Sequence, residues 1–447
     1  MIFTPSALSE LLPVDSSVSR LWVAFSGGLD STVLLHALAS LKLATPVLAL
    51  HVNHQISPYA NAWQEQCAAS CRALQVEFHT ETVALDICGR GVEDAAREAR
   101  YAVFERYLKA GDLLLMAHHA DDQAETVLLR LLRGAGPRGL AAMAQKRALG
   151  AGQLYRPLLN FTRAELHAYA SSQQLCWIDD ESNFDTHYDR NFLRQKVIPL
   201  LQNRWPTLPR QLQQTARLCA DTEQLLVEFA AADLAQSDTR VERLGQSISL
   251  AALEQFSSAR RHNVLRHWLR LQELDIPEQQ HLVQFEQQLV NSRADAEAVV
   301  EWGETKLQTY RSRLYAMPRA RAKYPLKPQQ IALSGQTSEI LLPGNGHLQF
   351  VCQESSQSSS LLRTDLENLT VRWRQGGERC QPAGRAHSQT LKRLLQEYGL
   401  EPWWREQLPL IYCGDSLAAV GDLWVCTDFL APAGTSGYSL VWQPGIN

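Results

Sequence analysis

The sequence lacks a C-x-x-C pair: its 9 cysteines, odd in number, are scattered from Cys67 to Cys426. That excludes structural zinc ribbons and thioredoxin-like redox motifs, and it favours a reduced, cytoplasmic setting. It also lacks any apolar run near the roughly 18 residues a membrane helix needs, so no membrane partner is expected. Met1 to Arg20 holds no basic run ahead of an apolar core, so it does not read as a signal peptide. A Walker-type G-x-x-x-x-G-K-[ST] is missing, which excludes the kinase or GTPase type of phosphate loop. A basic excess is missing too. Lys+Arg is 43 against 47 for Asp+Glu, a net charge of -4, which taken alone argues against a basic nucleic-acid coat protein.

What is present is ample. The chain has 447 residues and 45% hydrophobic content, enough for about three domains at roughly 150 residues each. Residues 1–205 alternate short apolar runs with helical patterns. Leu21–Phe25, Val47–Asn53, Val76–Val83 and Leu113–Ala117 are predicted strands; Ala60–Leu74, Val92–Leu108 and Asp121–Arg133 are predicted helices. Such alternation implies an α/β domain with a parallel sheet covered on both faces, binding ligands beyond the carboxyl ends of its strands. Residues 206–317 form a mainly helical middle domain, with helices over Leu208–Ala235, Ser258–Leu271 and Glu278–Leu289 and short strands near its end. Met317–Gln330, rich in proline and basic residues, reads as a linker. Residues 330–447 then read as a small α+β domain, with a helix near Gln389–Tyr398 and a polar loop at Ser355–Ser360.

The strongest motif is Ser26-Gly27-Gly28-Leu29-Asp30-Ser31, between a buried strand and a helix. Glycines let backbone N–H groups approach an anion, and a helix N-terminus adds partial positive charge. Ser26 and Ser31 supply hydroxyls. Asp30 repels phosphate unless a cation sits between them, so it is the candidate Mg2+ ligand. A second strand–helix junction carries His118-His119-Ala-Asp121-Asp122-Gln-Ala-Glu125. Asp122 and Glu125, at i and i+3, share a helix face suited to an ammonium group or a metal. For Asp121, helix capping is an equal reading. His118 and His119 are a base or strand-end packing. Arg97 and Arg100 share a face suited to charge on a transferring adenylyl group, or else pair with Glu93. His51-Val-Asn53-His54 ends at the same sheet edge. Asp179–Asp185 and Asp189–Arg194, with Arg190 and Arg194, read as a loop returning to the site before a helix.

Ser26–Ser31 resembles the loop of the N-type (PP-loop) ATP pyrophosphatases. Together with Arg97-x-x-Arg100-Tyr101, the His-His-x-x-Asp-Gln-x-Glu segment, Arg133-Gly-Ala-Gly-Pro-Arg138-Gly-Leu140 and Asp189-Arg190-Asn191-Phe-Leu-Arg194, the chain resembles the tRNA(Ile)-lysidine synthetase family. Arg372–Arg379, Lys392–Glu397 and Pro402–Arg405 resemble that family's C-terminal tRNA-binding unit. The bulkier Glu401-Pro-Trp-Trp404 is the main local departure. The resemblance implies a ligase using ATP and Mg2+. It adenylates the wobble cytidine of the isoleucine tRNA with a CAU anticodon on its C2 oxygen. The ε-amine of free L-lysine then attacks C2, giving lysidine, AMP and pyrophosphate. On that reading Asp122 and Glu125 grip lysine, Arg97, Arg100, Arg190 and Arg194 meet phosphate or adenylate, and a homodimer is compatible. A PP-loop tRNA thiolase is the alternative, normally carrying catalytic cysteines or an iron–sulfur C-x-x-C. A non-catalytic nucleotide-sensing RNA-binding module is the rival outside enzymes, and it is expected to have lost Asp122 and Glu125.

Charge is segregated along the chain. Residues 126–164 and 305–338 each carry seven basic residues and no acid, and residues 368–396 carry six with only Glu378 opposing them. The remainder is strongly acidic, a pattern suited to a polyanion that touches several domains. Trp373, Tyr398, Trp403 and Trp404 are candidates for base stacking, with core packing the favoured reading for most of the tryptophans.

Overall fold

The structure, a computed structural model, describes all residues except 1, 14–16, 86–90, 180–185, 292–297, 320–326, 334–336, 355–359 and 446–447. It divides into two compact units, residues 1–225 and 226–447. Among the described residues no helix is long and apolar enough to cross a membrane.

The first unit opens with α1 (Pro5–Leu11) and alternates β1 (Arg20–Ala24), α2 (Leu29–Ser40), β2 (Val47–Asn53), α3 (Ala60–Leu74), β3 (Glu77–Thr82), α4 (Val92–Tyr107), β4 (Asp112–Leu115) and α5 (Ala120–Leu132). After α6 (Pro137–Leu140) come β5 (Lys146–Leu149) and β6 (Gly152–Tyr155), then α7 (Arg163–Ser172). The sheet order is β3-β2-β1-β4-β6-β5, parallel except for β5. Leu21 pairs with both Val47 and Leu113, so β1 lies between β2 and β4. The chain order reverses at that point, which opens a crevice at the carboxyl ends of β1 and β4.

Period-two alternation builds a core on each face. Leu21, Val23 and Phe25 join Leu113 and Leu115 in one, packed on α2 through Val33, Leu34 and Ala37. Trp22, Leu114 and Met116 join Val103 and Phe104 of α4 in the other. These strands are apolar throughout because both faces are buried. The predicted elements of this unit are found within a residue or two. The β5–β6 hairpin, α1 and α7 carried no strong periodic signal and were not anticipated.

α8 (Asp189–Phe192) passes through one π-helical turn at Leu193–Val197 into α9 (Ile198–Arg204), and α10 (Leu208–Ala235) follows. In the second unit, β7 (Thr239–Val241), β8 (Gln246–Ser249), β9 (Val299–Trp302), β10 (Thr305–Tyr310) and β11 (Arg313–Pro318) form an antiparallel sheet. It packs with α11 (Leu250–Glu254), α12 (Ser258–Leu271) and α13 (Gln279–Asn291) around Trp268, Leu282 and Phe285. β7 and β8 add to the helices and three strands expected there.

Residues 340–442 build a separate core. It contains a five-stranded and a four-stranded sheet and α14 (Leu391–Tyr398). Gln389 and Thr390 pair with Arg379 and Cys380 instead of opening that helix. Of the expected linker, Met317 and Pro318 finish β11, and residues 320–326 lie outside the described set. The expected Ser355–Ser360 loop falls mostly outside it as well.

Candidate active site

The site is built where β1 and β4 end. Beyond β1 the chain turns at Gly27, with φ +82, a region L side chains rarely enter. Ile178 N donates to the Gly27 carbonyl at 2.9 Å. A Cβ at Gly27 would stand 2.5 Å from Ile178 Cδ1 and 2.7 Å from Cys67 Sγ, so only glycine fits. Ser26 Oγ and Ser31 Oγ are 3.1 Å apart, and Ser31 Oγ and Thr32 Oγ1 donate to the Gly28 and Gly27 carbonyls at 3.1 and 3.2 Å. The hydroxyls therefore brace the loop from within. Leu29 begins α2 and is buried, and Asp30 sits in its first turn.

The loop borders a cavity of about 670 Å³, lined also by His51, Asn53, Met116 and Asp122. Arg100 and His118 line it; Arg97, Glu125, Arg190 and Arg194 do not. The run from Gln55 to Ala60 closes part of its wall, which the sequence reading did not foresee. Exposed Ile56 and Tyr59 are the apolar signal that marks it.

Beyond β4, the two adjacent histidines separate sharply. Burial pushes His118 down to about 3, and its Nδ1 accepts from Arg156 Nε at 3.1 Å. The neutral ring then carries its proton on Nε2 and presents a donor, not a base. Burial also opposes charge on His119, but Asp122, Asp30 and Asp121 outweigh it and raise the ring to about 9. Their carboxylates stand 3.4, 3.5 and 3.7 Å from its nitrogens. The Asp122 N–H donates to Nδ1 at 3.4 Å, which leaves Nε2 to face Asp30 and Asp122. His119 thus joins Asp30 to Asp122 through Nε2, a bridge between the two halves of the site.

Asp121 Oδ2, 3.7 Å from His119 Nδ1, also accepts from Arg163 N at 2.8 Å in the first turn of α7, whereas its own helix is capped by His119. Asp122 and Glu125 are buried and already paired. Arg190 Nε and Arg194 Nε donate to Glu125 at 2.7 and 2.6 Å. Their Nη2 atoms reach Asp122 Oδ1 at 3.0 and 3.2 Å. Burial would raise the Asp122 carboxyl, but His119, Arg190 and Arg194 hold it well below the usual range. α8 and the π turn bring both arginines to one pair of acids. Asp189–Arg194 therefore returns to the site, but as helix and π turn rather than the expected loop, while residues 180–185 lie outside the described set.

Asp30 Oδ1 is buried and has no hydrogen-bond partner among the described residues, although Oδ2 faces His119. That orphaned oxygen fits a divalent cation. Among the described residues no three His, Cys, Asp or Glu side chains converge to hold a metal by themselves. One carboxylate plus substrate phosphates and water is the Mg2+ habit that suits such a place.

Arg97 lies over the Tyr101 ring rather than in the cavity, 4.9 Å from its centroid. The Glu93 side chain, its alternative partner, is outside the described set. Cys67 and Cys71 are buried on α3, and Cys67 Sγ faces Gly27. Burial pushes both up to about 12, so neither is a nucleophile near neutral pH. In the C-terminal region Trp373 and Trp404 are core residues, whereas Tyr398 is exposed. Arg405 donates to the Leu400 carbonyl and to Tyr310 Oη, both at 2.9 Å, which makes it a packing residue.

A parallel sheet with a Ser-Gly-Gly-x-Asp-Ser turn at its switch point and acids across the crevice defines the PP-loop class of nucleotide-binding domains. Residues 5–201 match the PP-loop domain model, residues 248–315 the TilS substrate binding domain, and residues 369–442 the TilS substrate C-terminal domain. The tRNA(Ile)-lysidine synthase of Coxiella burnetii is 37% identical over 99% of this chain and 97% of its own. That of Alkalilimnicola ehrlichii is 39% identical over 98% and 97%. The chain belongs to the tRNA(Ile)-lysidine synthase family. A solved U34-tRNA thiolase of Methanococcus maripaludis is 17% identical over 48% of this chain and 77% of its own, at a TM-score of 0.41, and decides nothing further.

Proposed function

We propose that this chain is a cytoplasmic ligase that joins free L-lysine to C2 of the wobble cytidine in the CAU-anticodon isoleucine tRNA, consuming ATP. The observation that carries the reading is the convergence of Ser26–Ser31, Asp30 and Asp122 on one cavity of about 670 Å³, a size that accepts a nucleotide. The loop holds the ATP phosphates. Asp30 would hold Mg2+, which supplies charge neutralisation when bound. Arg100 lines the cavity where the adenylate forms, and His118 offers it a neutral N–H.

The acids divide their work. Glu125 spends both oxygens on Arg190 and Arg194, so it orients those arginines. Asp30 is kept for Mg2+, and Asp122, the other carboxylate on the cavity wall, would receive the lysine ammonium beside the two arginines on its Oδ1. The ε-amine must shed a proton before it attacks. Residues 206–317 and 330–447 supply the tRNA-binding domains and residues 1–205 the catalytic domain, and a homodimer is compatible with this scheme.

The test is direct. Protein, ATP, Mg2+, radiolabelled lysine and unmodified tRNA should yield lysine-labelled tRNA. A folded, ATP-binding protein that transfers no lysine would sink the reading. Asp30→Ala should abolish pyrophosphate release while tRNA binding stays within about twofold; loss of tRNA binding would make Asp30 structural.

A further inference from the structure

Next to the cavity the first unit gathers positive charge around one tyrosine. The guanidinium carbons of Arg97 and Arg147 each lie 4.9 Å from the centroid of the Tyr101 ring. Arg97 Nη2 donates to Tyr101 Oη at 3.4 Å, and that hydroxyl donates to Met116 Sδ at 3.6 Å. Buried Arg156 reaches the same phenol, gives Nε to His118, and gives Nη1 to the Ala144 carbonyl at 2.5 Å. Arg130 spends one nitrogen on the Gly139 and Ala142 carbonyls at 2.8 and 3.0 Å.

No ion pair with a carboxylate is formed by Arg97, Arg130, Arg147 or Arg156 among the described residues. The sequence is consistent with that for Arg130, Arg147 and Arg156, since residues 126–164 contain no acid at all; Arg97 lies outside that stretch. Burial would raise the Tyr101 phenol, yet Arg97, Arg147 and Arg156 together pull it down. Burial and its neighbours Arg147 and Arg97 likewise weaken the hold of Arg156 on its proton, despite help from Tyr101. Among the described residues the cluster therefore carries like-charge repulsion that no carboxylate relieves, and an anion removes it.

We propose that Arg97 and Arg147, held in place by Tyr101 and Arg156, bind one backbone phosphate of the RNA strand beside the nucleotide that enters the cavity. The inference rests on the functional reading above. Two guanidinium groups already lie over the Tyr101 ring, so the ring is not a platform for a base. Planar N–H forks match phosphate oxygens well. The phosphates of ATP have their own cradle at Ser26–Ser31. Arg97, Tyr101 and Arg147 lie outside the cavity lining, yet the cluster touches it through Met116 and His118. A ligand that meets both places must continue out of the cavity, as a polymer does.

The experiment uses the full chain and an RNA stem-loop with the CAU anticodon, in native form and with single neutral methylphosphonate linkages along the loop. Arg147→Gln should weaken stem-loop binding about tenfold at low salt and reduce the log–log salt slope by about 0.7, one single-strand phosphate contact. Arg147→Lys should keep most of that slope, and ATP affinity should not change. One methylphosphonate position should weaken the native protein by a similar factor and add nothing in Arg147→Gln. Losses that add at every position would overturn the site. So would an unchanged RNA slope with weakened ATP binding, which would assign the cluster to nucleotide phosphates. A folded native chain that binds no stem-loop would instead overturn the functional reading beneath it.

Discussion

His118 and His119 are neighbours of the same residue type, yet burial pushes one down to about 3 and nearby carboxylates raise the other to about 9. The difference has a pH consequence. Unfolded His118 takes a proton below about pH 6.5, whereas the folded ring resists until about 3. The unfolded state binds more protons across that window, so stability falls as pH drops from 6.5 toward 3. His118→Gln should remove this part of the acid sensitivity, seen as a shallower pH dependence of the urea unfolding free energy. Equal slopes for the two proteins would refute a buried neutral ring. Glu125 is 1% exposed and anchors two arginines. Glu125→Gln should cost about 3 kcal/mol, the lower end for a broken buried pair, because both guanidiniums keep partial contact with water. A loss below about 1 kcal/mol in urea titrations would show that the arginines find water instead.

At the scale of elements, the turn from β1 into α2 sets the position of the whole site. Its glycine faces the chain at Ile178 and the thiol of Cys67 on α3, so the loop's shape depends on two segments distant in sequence. Gly27→Ala should destabilise the protein by about 2 kcal/mol or more, since it combines a left-handed backbone with a steric clash. Thermal unfolding and ATP titration should fall together; normal ATP affinity with a lowered melting point would separate the turn from the phosphate site. The alternation of β1 and β4 between two cores was legible, because apolar runs bounded by turn residues mark buried parallel strands. The β5–β6 hairpin was not, because Lys146 and Arg147 break the apolar pattern on an edge strand that carries exposed charge.

For the whole molecule, the net charge of -4 misleads because basic stretches and acidic remainder cancel in the sum. The stretches themselves are not equivalent in use. Arg379 is exposed and gives one nitrogen to the Ser388 carbonyl at 3.1 Å, whereas Arg405 is committed to Leu400 and Tyr310. Arg379→Ala should therefore weaken tRNA binding and flatten its salt dependence without lowering the melting temperature. Arg405→Ala should lower the melting temperature and leave the salt slope unchanged. The reverse pattern would place Arg405, not Arg379, on the RNA.

The sequence by itself determined the α/β class, the phosphate loop, the second strand–helix junction and the family, because each is a local pattern: an apolar run, a glycine turn, a fixed spacing of acids and arginines. Only the tertiary structure decided what those groups face. Asp122 and Glu125 share a helix face in either account, but their pairing with Arg190 and Arg194 joins residues more than sixty positions apart. The upward shift of His119, the neutrality of His118 and the inertness of Cys67 depend on burial and on the groups packed around them. Spacing along a chain names the chemical groups available; the dielectric and the partner charges around each group, set by packing, decide which of them are charged and which are free to meet a substrate.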